Sequence, residues 1–416
     1  MHVLYFHQHF TTPDGAGGTR SYEFARALVA KGHRVTMVCG QSATGGLSLP
    51  WDAKARWHRG IIDGIDVIAL PLAYSNRTGL ARRSWVFVRY AWRSIGLALR
   101  ADYDVLFATS TPLTTALPGI AMKLVRRGKP FVFEVRDLWP ELPRALGMKN
   151  PLLLGGMSVL EWLGYRTADA CIGLAPGIAE GIRRRAPRDR RVVTIPNGCD
   201  LDLFTPAKRI KPLDLAGIEP GDFVAGFTGA HGVANGLDAV LNAAAELKRR
   251  GRTDIKLVLI GDGNQKDRLV ARAKTEALTN CLFFPPVKKT EIARITASFD
   301  CGLQILADVP AFYRGTSPNK FFDYISSGVA VLNNYPGWLA DMIVRQGAGI
   351  VVAPQDPAAM ADGLIRLADD NEFCRTMGRR ARTLAETQFN RADLAAQWVS
   401  VMETCAPGEF RCSPAA

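Results

Sequence analysis

Short apolar runs alternate along the whole chain with longer stretches of helical periodicity. In the first half the runs are Val3–Phe6, Val35–Val38, Val67–Leu70, Val105–Ala108, Phe131–Glu134, Ala170–Leu174 and Val192–Ile195. In the second they are Phe223–Phe227, Lys256–Ile260, Leu282–Phe284, Cys301–Ile305, Ala330–Asn333 and Gly349–Val352. Ser21–Lys31, Leu237–Arg250 and Lys266–Thr279 read instead as helices that bury one face. Strands alternating with helices predict βαβ units and parallel sheets, an α/β fold. Thirteen strands are too many for one doubly wound sheet, and the pattern restarts near residue 223.

The stretch from Phe204 to Asp222, with Pro206, Pro212 and Pro220, reads as a connector between two Rossmann-like domains. The expected division is 1–200 and 201–387. A last helix at about 388–404, centred on Asn390–Glu403, packs back on the first domain, and 405–416 forms a flexible tail. Two such domains facing each other imply a central cleft at the carboxyl ends of their strands, where open α/β sheets take ligands.

Composition narrows the class. The chain has 416 residues, 48% hydrophobic and 22% charged, which suits a globular core and excludes disorder, collagen or coiled coil as the main architecture. Its eight cysteines contain no C-x-x-C pair and read as reduced thiols of a cytoplasmic protein. The first residues, with Val3–Phe6, read as a strand and do not resemble a signal peptide. The uncharged run from Val105 to Met122 is interrupted by Pro112 and Pro118, so strand, turn and helix start fit it better than a membrane span.

Charge changes the picture more. Lys+Arg exceed Asp+Glu by 52 − 39 = +13, which asks for an anionic partner: nucleic acid, membrane surface or phosphorylated substrate. Leu80–Arg100 holds five arginines, four aromatics and no acid, and Arg183–Arg191 holds six arginines against one aspartate. The first is a basic amphipathic helix suited to an anionic membrane; a solvated face over an ordinary core stripe is the plain alternative. Nucleic acid is disfavoured, because no zinc pattern, RNA-recognition signature or interleaved stacking aromatics accompany the arginines.

Several segments carry candidate chemistry. Gly15 to Arg20 links the first strand to a helix, placing Gly17, Gly18 and Arg20 where backbone N–H groups and a guanidinium suit a phosphate. The dinucleotide fingerprint fails there, since Arg20 takes the third glycine position. His7 and His9 share a strand face with no third metal ligand apparent, so cleft-lining donors or packing describe them better. Phe131–Glu141 places Glu134, Arg136, Asp137 and Glu141 near a strand end, for acid–base work, sugar recognition or a structural ion pair. Asp200 and Asp202 imitate a metal-binding D-x-D, but Asn197-Gly198 reads as a hinge turn. Gly229–Gly236, with His231 and Gly232, is a second possible phosphate cradle; Gly261-Asp262-Gly263 can be a turn alone. In Arg314–Asp323, Ser317, Pro318 and Asn319 suit a helix start, Lys320 suits a diphosphate, and Asp323 lies one turn on, within reach of ribose hydroxyls.

Together these segments resemble the family-4 retaining glycosyltransferases of GT-B fold over essentially the whole chain. IPNGCDLDLF is similar to that family's domain-junction motif and SPNKFFDYISSGVAVL to its nucleotide-sugar motif. HQHFTTPDGAGGTRSYEFARALVAKGHRVTMV and FEVRDLWPE resemble the bacterial WbuB-like branch of O-antigen and capsule N-acetylfucosaminyltransferases. The resemblance implies that Gly17 and Gly18 approach the donor diphosphate, that Ser317, Asn319 and Lys320 hold it, and that Asp323 replaces a ribose-binding glutamate. It implies a UDP-sugar donor, an undecaprenyl-diphosphate-linked saccharide acceptor, the inner face of the plasma membrane, and no cofactor or metal. The usual histidine after the fifth strand is replaced by Arg136-Asp137, and the usual Arg/Lys clamp by Ala230 and Asn235. His231, Lys288, Lys289 or Arg314 are the candidate substitutes for those cations. A nucleotide-sugar epimerase and a transferase to a soluble acceptor are the rival readings.

Overall fold

The computed structural model describes residues 1–15, 17–42, 45–74, 79–210 and 213–408. Ala16 of the glycine loop, Pro212 of the connector, Cys412 and the last residues of the expected tail lie outside them. The chain divides into two compact units: Met1–Pro196 with Arg314–Ser317 and the residues from Ala392 onward, and Asn197–Tyr313 with Pro318–Arg391.

The first unit is built on a nine-stranded sheet in the order β3-β4-β5-β2-β1-β6-β7-β8-β9. Its strands are β1 (His2–Phe6), β2 (Arg34–Ser42), β3 (Trp51–Asp52), β4 (Trp57–Ile62), β5 (Ile65–Tyr74), β6 (Val105–Thr109), β7 (Phe131–Val135), β8 (Ala170–Gly173) and β9 (Arg191–Thr194). The sheet is parallel except at one edge, where β3–β4 and β4–β5 pair antiparallel. The expected parallel sheet is thus extended at one edge by an antiparallel hairpin that the apolar runs did not include. β4 alternates half-buried and exposed residues and has no apolar run, as an edge strand with one wet face allows.

Both faces of the central strands are covered. Val3, Tyr5, Val105 and Phe107 pack on one side with helix Arg20–Ala30 and the last helix, Arg391–Cys405. That helix delivers Trp398, fully buried, with ring centroids 4.9 Å from Phe107 and 5.7 Å from Tyr5. Edge-to-face and offset aromatic contacts of this kind stabilise beyond the area they bury. On the other side Gly119 and Gly164 lie against the rings of Phe131 and Phe133, letting helices Ala116–Val125 and Pro151–Thr167 approach closely.

The second unit carries a six-stranded parallel sheet in the order β12-β11-β10-β13-β14-β15. Its strands are β10 (Phe223–Thr228), β11 (Ile255–Ile260), β12 (Cys281–Phe284), β13 (Cys301–Gln304), β14 (Ala330–Asn333) and β15 (Gly349–Val351). Strand order reverses between β10 and β13, as it does between β1 and β6 in the first unit, and such switch points open a crevice at the carboxyl ends of the strands.

Helix Asn319–Ser326 lies over the second switch point because its residues segregate. Phe321, Phe322, Tyr324 and Ile325 are buried, while Lys320 and Asp323, three apart, share another face. Any Cβ at Gly302 would stand 2.4 Å from the Tyr324 ring, so this glycine lets the helix rest on the sheet. The Tyr324 hydroxyl accepts from the Thr228 N–H at 3.1 Å, which ties the helix to the end of β10.

Candidate active site

In the second unit three loops converge at the carboxyl ends of β10 and β11. Lys320 Nζ lies 4.2 Å from the Phe227 ring centroid and donates to Asn235 Oδ1 at 3.1 Å. Gly229, at φ +137°, makes room: a Cβ there would sit 3.2 Å from Lys320 Cε. The ammonium is thus held by a π-face and a neutral amide, and among the described residues it pairs with no carboxylate within 4 Å. Burial lowers its pKa to about 8, against the opposing pull of Asp323.

The ring of His231 is fully buried between Phe227 and Phe283, and neither ring nitrogen has a hydrogen-bond partner. Burial, then Lys266, lowers its pKa to about 4, so at neutral pH it is an uncharged imidazole. His231 therefore does not replace a missing cation, though it can still exchange a neutral hydrogen bond with a ligand. Its main chain is locked, donating to Asp262 O and accepting from Gln265 N, both at 2.9 Å. A Cβ at Gly261 would collide with Gly229 O, and one at Gly263 with the His231 backbone, so this glycine pair serves loop packing. Gly232 precedes a short 3₁₀ turn, with open space around its Cα.

Asp323 shares the Lys320 face. Burial raises its pKa to about 6, opposed chiefly by Lys289 and Arg391. Pro318 is the N-cap, which makes no side-chain cap bond, and Asn319 is the first helical residue. Ser317 belongs with Arg314–Ser317, which groups with the first unit, so it is not gathered with Asn319 and Lys320 inside one unit. Lys289 Nζ lies 3.9 Å from Asp200 Oδ2, so its charge is already partnered. A groove in this unit lined by Arg209, Asp222, Arg375 and Arg379 starts at Phe223 and Ala330, the opening residues of β10 and β14, and contains none of these site residues.

In the first unit the switch point gathers His7 after β1, Ser110 and Thr111 after β6, and Arg136 and Asp137 after β7. The Arg136 N–H donates to Ser110 Oγ at 2.9 Å, and its Nη1 stands 3.5 Å from His7 Nε2. Thr111 Oγ1 donates to Asp137 Oδ2 at 3.1 Å. Burial raises the Asp137 pKa, with Arg136 and Thr111 pulling the other way. Burial and the charge of Arg136 push His7 well below the ordinary histidine range, which leaves it neutral. Gln8 is buried with both amide atoms unpartnered, and nothing in the sequence pattern signals that.

Two expected site residues are placed otherwise. Arg20 is turned into the fold and faces an internal carboxylate, not a ligand site. It is 3% exposed, and its guanidinium donates to Glu134 Oε2 at 2.8 Å and to the carbonyls of Ile195 and Pro196. Its donors are consumed inside the fold, and Glu134 is likewise internal, also accepting from Thr109 Oγ1 at 2.8 Å. Glu141 opens the short helix Glu141–Ala145 with its side chain in solvent, where its charge is felt by Glu161 and Tyr165. It does not join Arg136 and Asp137. Gly17 sits against Thr11, whose Oγ1 would be 2.9 Å from a Cβ there, and Gly18 is exposed.

Comparison with known proteins places these features. Residues 15–198 match the family model of the glycosyl transferase 4-like domain, and residues 216–384 that of glycosyl transferases group 1. A D-inositol 3-phosphate glycosyltransferase of Nocardia farcinica is 29% identical over 203 residues, covering 47% of this chain and 44% of that protein. The chain thus spans less than half the length of that curated relative. Sucrose-phosphate synthase from Thermosynechococcus elongatus superposes with a TM-score of 0.75 at 18% identity, over 97% of this chain and 98% of that one. Anabaena HepE in complex with UDP-glucose gives 0.71 at 16% identity, over 97% and 100%.

Proposed function

The chain belongs to the family-4 glycosyltransferases of GT-B fold, and from that premise we propose that it is a retaining transferase using a nucleotide sugar, UDP-linked, as donor. The observation that carries this reading is Lys320: a partly buried ammonium at a sheet switch point, held by Asn235 and Phe227 and, among the described residues, without a carboxylate within 4 Å. A cation so placed is preorganised for an anion that arrives with the substrate. The diphosphate of the donor meets Lys320 and the N-terminus of helix 319–326, and the ribose hydroxyls meet Asp323. His231 and Gly232 line the same loops and remain, with Pro318 and Asn319, donor-site candidates.

Transfer breaks the anomeric C–O bond, and charge develops on the departing diphosphate. Lys320 stabilises that charge in place of a metal. Front-side attack lets a leaving phosphate oxygen take the acceptor's proton, so configuration is retained with no protein nucleophile. Arg136 and Asp137 serve the acceptor side: the guanidinium for an anionic group, the carboxylate for a hydroxyl. Gly17 and Gly18 keep their proposed approach to the donor; Arg20 and Glu141 are withdrawn. A thermal-shift screen tests the donor assignment: UDP at 100 times its Kd should add about 2.7 kcal/mol of stability. Equal stabilisation by NAD, or none by UDP, overturns it.

The acceptor we propose is a lipid-linked saccharide of the WbuB-like kind, in O-antigen or capsule synthesis, reached by peripheral docking on an anionic membrane. No helix among the described residues is long and apolar enough to cross a membrane. Helix Leu80–Arg100 supports docking with Trp85 62% and Trp92 77% exposed and with Arg82 and Arg89 in solvent. Leu152 and Leu153 at the start of helix 151–167 are exposed too. The arginines of 183–191 support it less: Arg184 pairs with Glu180, Arg185 with Glu161, and Arg183 and Arg190 donate to backbone carbonyls. Replacing Trp85 and Trp92 by serine should release the protein from vesicles containing anionic lipid without lowering its melting temperature. Undiminished co-sedimentation of that variant would remove the docking proposal.

A further inference from the structure

The turn after Asn197 and the segment before Ala392 are bound to each other and to the helix that carries Lys320 and Asp323. Cys199 N–H donates to Phe389 O at 2.6 Å, and Arg391 N–H returns to Cys199 O at 3.0 Å. Arg391 Nη2 donates to Gly198 O at 2.7 Å, while its Nη1 lies 3.5 Å from Asp200 Oδ2. Asp200 Oδ2 also faces Lys289 Nζ at 3.9 Å. On the helix side, Cys199 Sγ donates to Phe322 O at 3.3 Å, and Ser326 Oγ to the carbonyls of Asp200 and Phe204 at 3.2 and 2.8 Å. Phe322 and Ser326, on either side of Asp323 in its helix, are thus tied to the turn that carries Asp200, and the charges of Lys289, Arg391 and Asp200 reach the Asp323 carboxyl.

Resting on the reading that Asp323 receives the donor's ribose, we propose that Lys289 and Arg391 are positioning residues that keep the Asp323 carboxylate ionised, with Asp200 dividing their charge. A ribose hydroxyl donates to a carboxylate; a protonated Asp323 would offer it a competing donor and lose the bond. Burial works against the ionised form, and the neighbouring charges decide the balance. Lys289 at the start of helix Lys289–Ser298, Arg391 at the start of the last helix, and Lys320 on Asp323's own helix all favour ionisation, and Asp200 alone of these groups opposes it. Cys199 is a neutral thiol, pushed well above its usual pKa. Arg382, from the helix Asn371–Gln388, is spent on Glu386 and on backbone carbonyls.

The test follows the Asp323 carboxyl carbon by ¹³C NMR against pH in the full chain without donor, beside the pH profile of the donor KM. Lys289→Met should move the Asp323 titration upward from about 6 by about one pH unit, and Lys289→Arg should restore it. Asp200→Asn, which is isosteric and leaves both cations to Asp323, should move it downward. A purely structural cluster would not give shifts of opposite sign. A titration that ignores both variants, or moves the same way in both, overturns the inference. Opposite shifts with a donor KM that does not follow them uphold the positioning role and overturn the ribose reading instead.

Discussion

Lys320→Ala is expected to lower kcat/KM for the donor about tenfold or more, with the melting temperature little changed. A charge-assisted hydrogen bond to an anion contributes about 1.5–3 kcal/mol, and each 1.4 kcal/mol is a factor of ten. Among the described residues Lys320 makes no ion pair with a carboxylate within 4 Å. Asp323 keeps the favourable charges of Lys289 and Arg391 when Lys320 is removed, so the loss falls mainly on ligand and transition state. The pH dependence carries the same signature. With its pKa lowered to about 8, Lys320 is protonated at neutral pH and loses its charge as pH rises through that value. Donor affinity should therefore fall on the alkaline side in the wild type and lose that limb in the alanine variant. A bound diphosphate favours the charged amine, so the limb belongs to the free enzyme and is read in kcat/KM. Near-wild-type turnover by Lys320→Ala would dismiss the donor-site assignment.

The second large effect is on stability. Arg20→Ala is expected to destabilise the first domain by about 3–5 kcal/mol, because it strands Glu134 as an uncompensated buried charge. Glu134 is 0% exposed, and among the described residues Thr109 would remain as its side-chain donor. Replacing both partners, Arg20→Met with Glu134→Leu, should recover much of the loss, since paired apolar side chains avoid the desolvation of both ions. Urea denaturation of the three variants checks the order. If Arg20→Ala left stability intact and weakened donor binding selectively, the guanidinium would be a phosphate ligand after all.

The alternation of apolar runs and amphipathic stretches was enough for two Rossmann-like domains. Most residues of the interior strands are buried on both faces, and strands such as Val105–Thr109 and Phe131–Val135 read as short apolar runs. β3 and β4 escaped because an edge hairpin needs no such run. The segment proposed for the donor was legible for a local reason: Lys320 and Asp323 are three apart on one helix, a spacing that sequence displays. Arg20 was misread for the opposite reason. A guanidinium after a glycine loop looks the same whether it meets a phosphate or a carboxylate, and its partner Glu134 is more than a hundred residues away. The same distance hid the Asp200–Lys289–Arg391 group, whose members come from three separate elements. The charge of His231 was also invisible, since burial rather than residue type makes it neutral.

Trp398 has a consequence for synthesis. The first domain's strands are made early, yet the indole that fills the space between Tyr5, Phe24 and Phe107 comes after the second domain in the chain. Until it arrives, those rings border an apolar gap, and a gap lined by aromatic side chains weakens the contacts around it. The nascent first domain must wait, incompletely packed, while the whole second domain is translated. Its order of folding therefore runs against its order of synthesis, and helix Arg391–Cys405 acts as the closing step of the first domain.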